Sequence, residues 1–198
     1  MYNILLDGLP TKYKDYRIRT SYRIGVDLNL LFEDDNVDSE YKIAMAIDIL
    51  YIDKPDDINE ATAGISWFLS CGTNEAYYVD KPASNPSGNK ALDFQYDANE
   101  IYGTLRLYGI KLEPSLHWFE FMSIIQSLPD CPLSQRMGYR VLDLSKFKGQ
   151  TRAQYADIQN KVRVRKALTK EEYEEQMNEA KETYGSYYEQ LKRLNSGY

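Results

Sequence analysis

Leu116-His117-Trp118-Phe119-Glu120-Phe121-Met122-Ser123-Ile124-Ile125-Gln126-Ser127-Leu128 is the most apolar stretch of this chain, and its period is helical. At about 100° per residue, Trp118, Phe121, Met122, Ile125 and Leu128 fill one wide arc. Glu120, Ser123 and Ser127 share the opposite side, and Pro129 ends the element. A helix apolar over so broad a face belongs inside a core. The Leu116 to Phe119 segment therefore reads as packing and not as an active site, and the fold built around it is mainly α.

Further helical patterns lie on both sides. Towards the N-terminus, Thr20 and Ser21 are placed to cap a helix to about Phe32 with Ile24, Leu28 and Leu31 on one face. A second begins at Asp38 or Ser39 and carries Ile43, Ala46, Ile47 and Leu50. A third follows Asp57 and Glu60, which are spaced as a capping box, and buries Ile58, Ala61, Ile65, Phe68 and Leu69 before Gly72. A fourth runs from about Asp93 to Tyr108, with Phe94, Ala98, Ile101, Leu105 and Tyr108 on its face and Gly109 closing it. Ahead of these, Ile4 to Leu6 lead into the turn dipeptide Asp7-Gly8, and Tyr16 and Ile18 alternate with Arg17 and Arg19, which predicts a small N-terminal β-hairpin. Residues 73–91 hold Pro82, Pro86 and Gly88 in a polar run without period, read as a mobile loop.

After Pro129 come a short helix from about Pro132 to Leu142, an irregular stretch around Ser145 and Gly149, and a helix from about Thr151 to Leu168. Thr169 and Glu172 then form a capping box, beyond which Tyr173, Met177, Ala180, Tyr184, Tyr187, Leu191 and Leu194 recur at spacings of four and three. That is a heptad stripe three repeats long. Two readings stay open for it: docking on the chain's own core, or binding a partner protein. The organisation expected is a helical bundle-like core domain over 1–145, with the hairpin at its start, and a C-terminal helical extension over 146–198 ending in the heptad-patterned helix.

Composition narrows the function. The chain has 198 residues, 43% of them hydrophobic, which suffices for a core. Its net charge of −6 disfavours bulk attraction to nucleic acid or an anionic membrane. From Lys146 onward there are 11 Lys+Arg against 8 Asp+Glu, so the rest of the chain is the acidic part. The basic stretch Lys161, Arg163, Arg165, Lys166 has no interleaved aromatics and reads as a solvated helix face, so nucleic acid is not an expected partner. Eighteen tyrosines against six phenylalanines suit half-exposed contact surfaces, although plain compositional bias explains them as well. Cys71 and Cys131 lack metal-ligand spacing and read as small buried hydrophobes in a reducing compartment. No apolar run reaches the roughly 18 residues of a membrane span, and no signal peptide is visible.

A search for chemistry finds none. His117 is the single histidine, and no Ser or Cys stands in a nucleophile context. The Asp34, Asp35, Asp38 cluster lacks the glycine and terminal glutamate of a calcium loop. Gly103, Gly109 and Gly138 open no phosphate-binding pattern. The residues support a binding protein with no cofactor and no catalytic group, with Tyr173, Met177, Tyr184, Tyr187, Leu191 and Leu194 as the candidate protein-binding positions.

One resemblance adds to this reading. Asp93-Phe94-Gln95-Tyr96-Asp97-Ala98, Ile101-Tyr102, Tyr108-Gly109-Ile110, Leu116-His117-Trp118 and Leu128-Pro129, in that order and spacing, resemble the bacteriophage gene-product-fifteen family. Asn3-Ile4-Leu5-Leu6-Asp7-Gly8-Leu9-Pro10 and the region after Tyr22-Arg23-Ile24 look like that family's start, and Tyr139-Arg140 with Leu144-Ser145-Lys146 like its later part. The resemblance runs to about Lys166 and leaves out the heptad stripe. It implies a role in the assembly of siphophage tails, as a chaperone whose partners are the tape-measure protein and the major tail-tube protein. The protein would then act in the cytoplasm of the bacterial host and be absent from the finished virion, with self-association left open. The alternative implied is a structural virion component, a neck or tail-completion protein.

Overall fold

In the computed structural model, one extended strap, residues 17–22, ties the N-terminal half to the most apolar helix. Arg19 N–H donates to Leu50 O (2.8 Å), and Ile52 N–H donates to Arg17 O (2.9 Å). Further along the same strap, Tyr22 N–H donates to Leu116 O (2.8 Å) and Trp118 N–H to Thr20 O (2.7 Å). The structure describes residues 2–73 and 88–164, with the isolated positions 178 and 185. The heptad-patterned helix and most of the polar connection expected at 73–91 lie outside these residues.

The described chain is mainly helical. In order it contains α1 (Ile4–Asp7), β1 (Lys12–Tyr13), β2 (Tyr16–Arg17), α2 (Tyr22–Glu33), α3 (Ser39–Leu50), α4 (Ile58–Leu69), α5 (Ala98–Leu107), α6 (Trp118–Gln126), α7 (Pro132–Arg140), a 3₁₀ turn (Leu144–Lys146) and α8 (Gly149–Val162). β1 and β2 pair antiparallel, Lys12 opposite Arg17 and Tyr13 opposite Tyr16. The small hairpin predicted from sequence is thus present, but it sits later than Ile4 to Gly8 suggested. Asn3 accepts the Leu5 N–H on its side chain (2.9 Å) and Asp7 returns a carboxylate to the Asn3 N–H (2.7 Å), which turns Ile4 to Asp7 into one helical turn. The hairpin turn is Lys14-Asp15, with Lys14 at φ 51°.

The helix starts follow their caps. Ser21 accepts from Arg23 N–H, and Asp57 accepts from Asn59 N–H at 2.9 Å. Glu60 does not complete the expected capping box, because Lys14 (2.8 Å) and Tyr16 (3.0 Å) hold its carboxylate. Ile58, expected inside, is exposed at the first position of α4. α5 begins at Ala98 and not near Asp93, since the Asp93 carboxylate takes the N–H groups of Gln95 and Tyr96 and holds a turn there. Its end is as read: Gly109 adopts φ 74° and Ile110 N–H reaches back to Leu105 O at 2.9 Å.

The core joins the six helices α2 to α7. Leu28 and Leu31 of α2, Ala46 and Leu50 of α3, Ala61, Ile65 and Phe68 of α4, Ile101 and Leu105 of α5, and Leu133 of α7 surround Trp118, Phe119, Phe121 and Ile125 of α6. Trp118 lies 6.3 Å from Phe68 and 5.8 Å from Phe121 between ring centroids. α2 has no side chain where the indole arrives: a Cβ at Gly25 would stand 2.1 Å from Trp118. The chain divides into two compact units, residues 1–163 and 164–198. Among the described residues no helix is long and apolar enough to cross a membrane.

Candidate protein-binding surface

α4 presents two faces with different fates. Ala61, Gly64, Ile65 and Phe68 go to the core, whereas Thr62, Ser66, Leu69 and Ser70 run along its other side at helical spacing. With Ile65, Phe32 from the end of α2 and Ile43 from α3, they line an open groove of about 560 Å³. Two of the three hydroxyls in that lining, those of Thr62 and Ser70, are bonded to backbone. Thr62 Oγ1 donates to the backbone oxygens of Ile58 (2.9 Å) and Asn59 (3.0 Å). Ser70 Oγ lies within hydrogen-bond distance of the backbone oxygens of Trp67 (3.2 Å) and Thr73 (3.0 Å). With those hydroxyls on backbone, Thr62 and Ser70 offer the groove mostly carbon, and its surface is chiefly apolar. Phe32, at 39% exposure, is the bulkiest apolar side chain still facing solvent there.

Charge gathers at one end of this groove. Directly after Phe32 the chain carries Glu33, Asp34 and Asp35, then Asp38 and Glu40, all exposed. Among the described residues, two lysines stand at this turn. Lys42 Nζ donates to Phe32 O at 3.0 Å, and Lys90 pairs with Glu33. Asp34 accepts from the backbone and side-chain nitrogens of Asn36, both at 2.9 Å, which hold its carboxyl below the usual range. Over residues 22–73 the chain has 11 Asp+Glu against 3 Lys+Arg.

His117 belongs to the scaffold. It is the N-cap of α6: Nδ1 accepts the Phe119 N–H at 3.0 Å, and Nε2 stands 2.9 Å from Pro10 O. The first bond requires an unprotonated Nδ1, so the proton sits on Nε2 and donates to Pro10. Burial pushes the imidazole pKa below its ordinary value, with the Pro10 carbonyl and Glu120 opposing in part. No nucleophile is among its hydrogen-bond partners.

A second buried polar group also serves the fold. Arg140 and Asp97 are fully buried and paired by two bonds, Nη1 to Oδ2 at 2.6 Å and Nη2 to Oδ1 at 2.8 Å. Arg140 further donates to Ala91 O (3.0 Å) and Val162 O (2.6 Å), and Asp97 accepts from Asp93 N–H (2.9 Å). One guanidinium thereby joins α5, α7, the end of α8 and the segment before α5. Among the described residues no group of three or more His, Cys, Asp or Glu is placed to hold a metal ion.

Asp97, Arg140 and His117 all fall within the short strings that carry the family resemblance. Comparison with known families agrees, since the model described as Bacteriophage Gp15 protein matches residues 5–164. The chain belongs to the bacteriophage Gp15 family. Membership marks it as a phage structural or morphogenesis protein. No curated protein and no solved structure matches it.

The six binding positions expected from sequence, Tyr173, Met177, Tyr184, Tyr187, Leu191 and Leu194, lie outside the described residues and beyond the end of the family match. The groove was not anticipated. Its sequence signal is faint: small hydroxyl residues at Thr62, Ser66 and Ser70 sit beside an apolar helical stripe, where a solvated face would carry long charged chains.

Proposed function

We propose that this Gp15 family member is a tail assembly chaperone, which binds the tape-measure protein and helps recruit tail-tube subunits during tail morphogenesis. The observation that carries the reading is the open apolar groove between α2, α3 and α4, with the Thr62 and Ser70 hydroxyls bonded to backbone. A long helical tape-measure chain exposes apolar stripes until the tube encloses it, and such stripes need cover. Grooves of this kind receive amphipathic helices through residues at i, i+3, i+4 and i+7. Modest affinity at each site suits the role, because arriving tube subunits must displace the chaperone. The protein then works in the host cytoplasm by binding, without catalysis or a cofactor, and is released before the virion is complete.

Co-expression with tape-measure fragments followed by affinity purification tests this directly, and the fragments are expected to co-purify. Mass spectrometry of purified virions is expected to find the protein absent. A stoichiometric amount in mature particles overturns the chaperone reading in favour of a neck or tail-completion component.

A further inference from the structure

We infer that the α2–α3–α4 groove selects a cationic amphipathic helix, whose apolar stripe lies along Thr62, Ser66, Leu69 and Ser70 and whose Lys or Arg side chains meet the acidic turn at residues 33–40. The chaperone reading supplies only the source of that helix, the tape-measure protein; the chemistry of the groove is argued independently of it.

Three observations fix that chemistry. The groove is open and about two helical turns long, since Thr62 to Ser70 spans about 12 Å at 1.5 Å per residue. That suits a row of side chains spaced a turn apart. Its lining offers carbon, with the Thr62 and Ser70 hydroxyls engaged by backbone oxygens, so little in it rewards a polar ligand. Glu33, Asp34, Asp38 and Glu40 stand exposed at its Phe32 end, where Lys42 and Lys90 are the lysines bonded among the described residues, so an acidic helix seated there meets repulsion and a basic one attraction. The rim therefore sets which helix enters, and the apolar floor holds it.

The test uses the full chain and two 18-residue helical peptides of identical leucine pattern, one with lysine and one with glutamate at the remaining positions. Fluorescence anisotropy at low salt is expected to show the lysine peptide binding at least tenfold more tightly, with the preference shrinking as salt rises. Ser66→Phe fills the groove from an exposed position and is expected to weaken the lysine peptide tenfold or more, with the melting temperature of the free protein unchanged. Asp38→Asn with Glu40→Gln is expected to weaken it several-fold. Removing two carboxylates elsewhere, Glu113→Gln with Asp130→Asn, leaves binding as it was. Equal losses from the two charge-removing pairs, or full binding by the folded Ser66→Phe variant, overturn the inference. Should Ser66→Phe lose the peptide yet still co-purify with tape-measure fragments, the groove's selectivity stands and the chaperone contact lies on another surface.

Discussion

His117 uses both ring nitrogens on backbone, one on the α6 N-terminus and one on Pro10. Burial away from water disfavours the charged imidazolium, and a proton on Nδ1 would also face the Phe119 N–H that Nδ1 now accepts. The folded state thus binds a proton less readily than the unfolded chain, whose histidine has a pKa near 6.5. The stability this contributes is complete above about pH 6.5 and is lost as pH falls through the lower folded-state value. The melting temperature should therefore drop between pH 7 and pH 5, and drop less in His117→Asn, which keeps a capping oxygen that does not titrate. Parallel declines in the two proteins would show that His117 is not the group responsible. At pH 7 the variant is expected to be weaker by about 1 kcal/mol, the scale of a lost cap or hydrogen bond.

Between elements, the decisive contact is the Asp97–Arg140 pair. Removing one member leaves the other charged and buried, which costs about 3–5 kcal/mol, whereas replacing both with uncharged groups costs far less. Arg140→Met and Asp97→Asn are each expected to lower the urea midpoint strongly. The double variant should cost clearly less than the two singles added together, and simple additivity would mean the charges do not act as a pair. The same region shows how far sequence reading reaches. Periodicity located α2, α3, α4 and α6 because each keeps an apolar stripe bounded by a cap, a glycine or a proline. It misplaced Ile4 to Leu6 and the start of α5, where one Asn or Asp side chain bonds nearby N–H groups and overrides propensity. It made Trp118 a core anchor yet was silent on Gly25, since nothing local tells that a bare backbone faces an indole 93 positions away. Asp97 and Arg140 were visible only as letters in a family pattern; a pairing across 43 positions has no local signature.

Seen whole, residues 1–163 form a unit whose last helix is structural. Gln159 Nε2 reaches the carbonyls of Tyr139, Arg140 and Leu142, each at 3.1 Å, and Val162 O receives Arg140 Nε. A chain ending at residue 164 should unfold cooperatively, with a melting temperature near that of the full protein. One ending at residue 148 should melt well below it, because the Arg140 guanidinium loses the Val162 carbonyl as an acceptor and the carbonyls of Tyr139, Arg140 and Leu142 lose Gln159 as their donor. A non-cooperative transition in the 164-residue form would show that the first unit does not stand alone. The arrangement of the core has one more consequence. Both tryptophans of the chain lie in one aromatic cluster around α6: Trp67 is 5.4 Å from Phe119, and Trp118 is sealed between Phe68, Phe94 and Phe121, its indole nitrogen without a hydrogen-bond partner among the described residues. An indole so shielded emits at shorter wavelength than one in water, so the colour of the protein's own ultraviolet emission reports, without any added label, whether α6 is seated against α2 and α4.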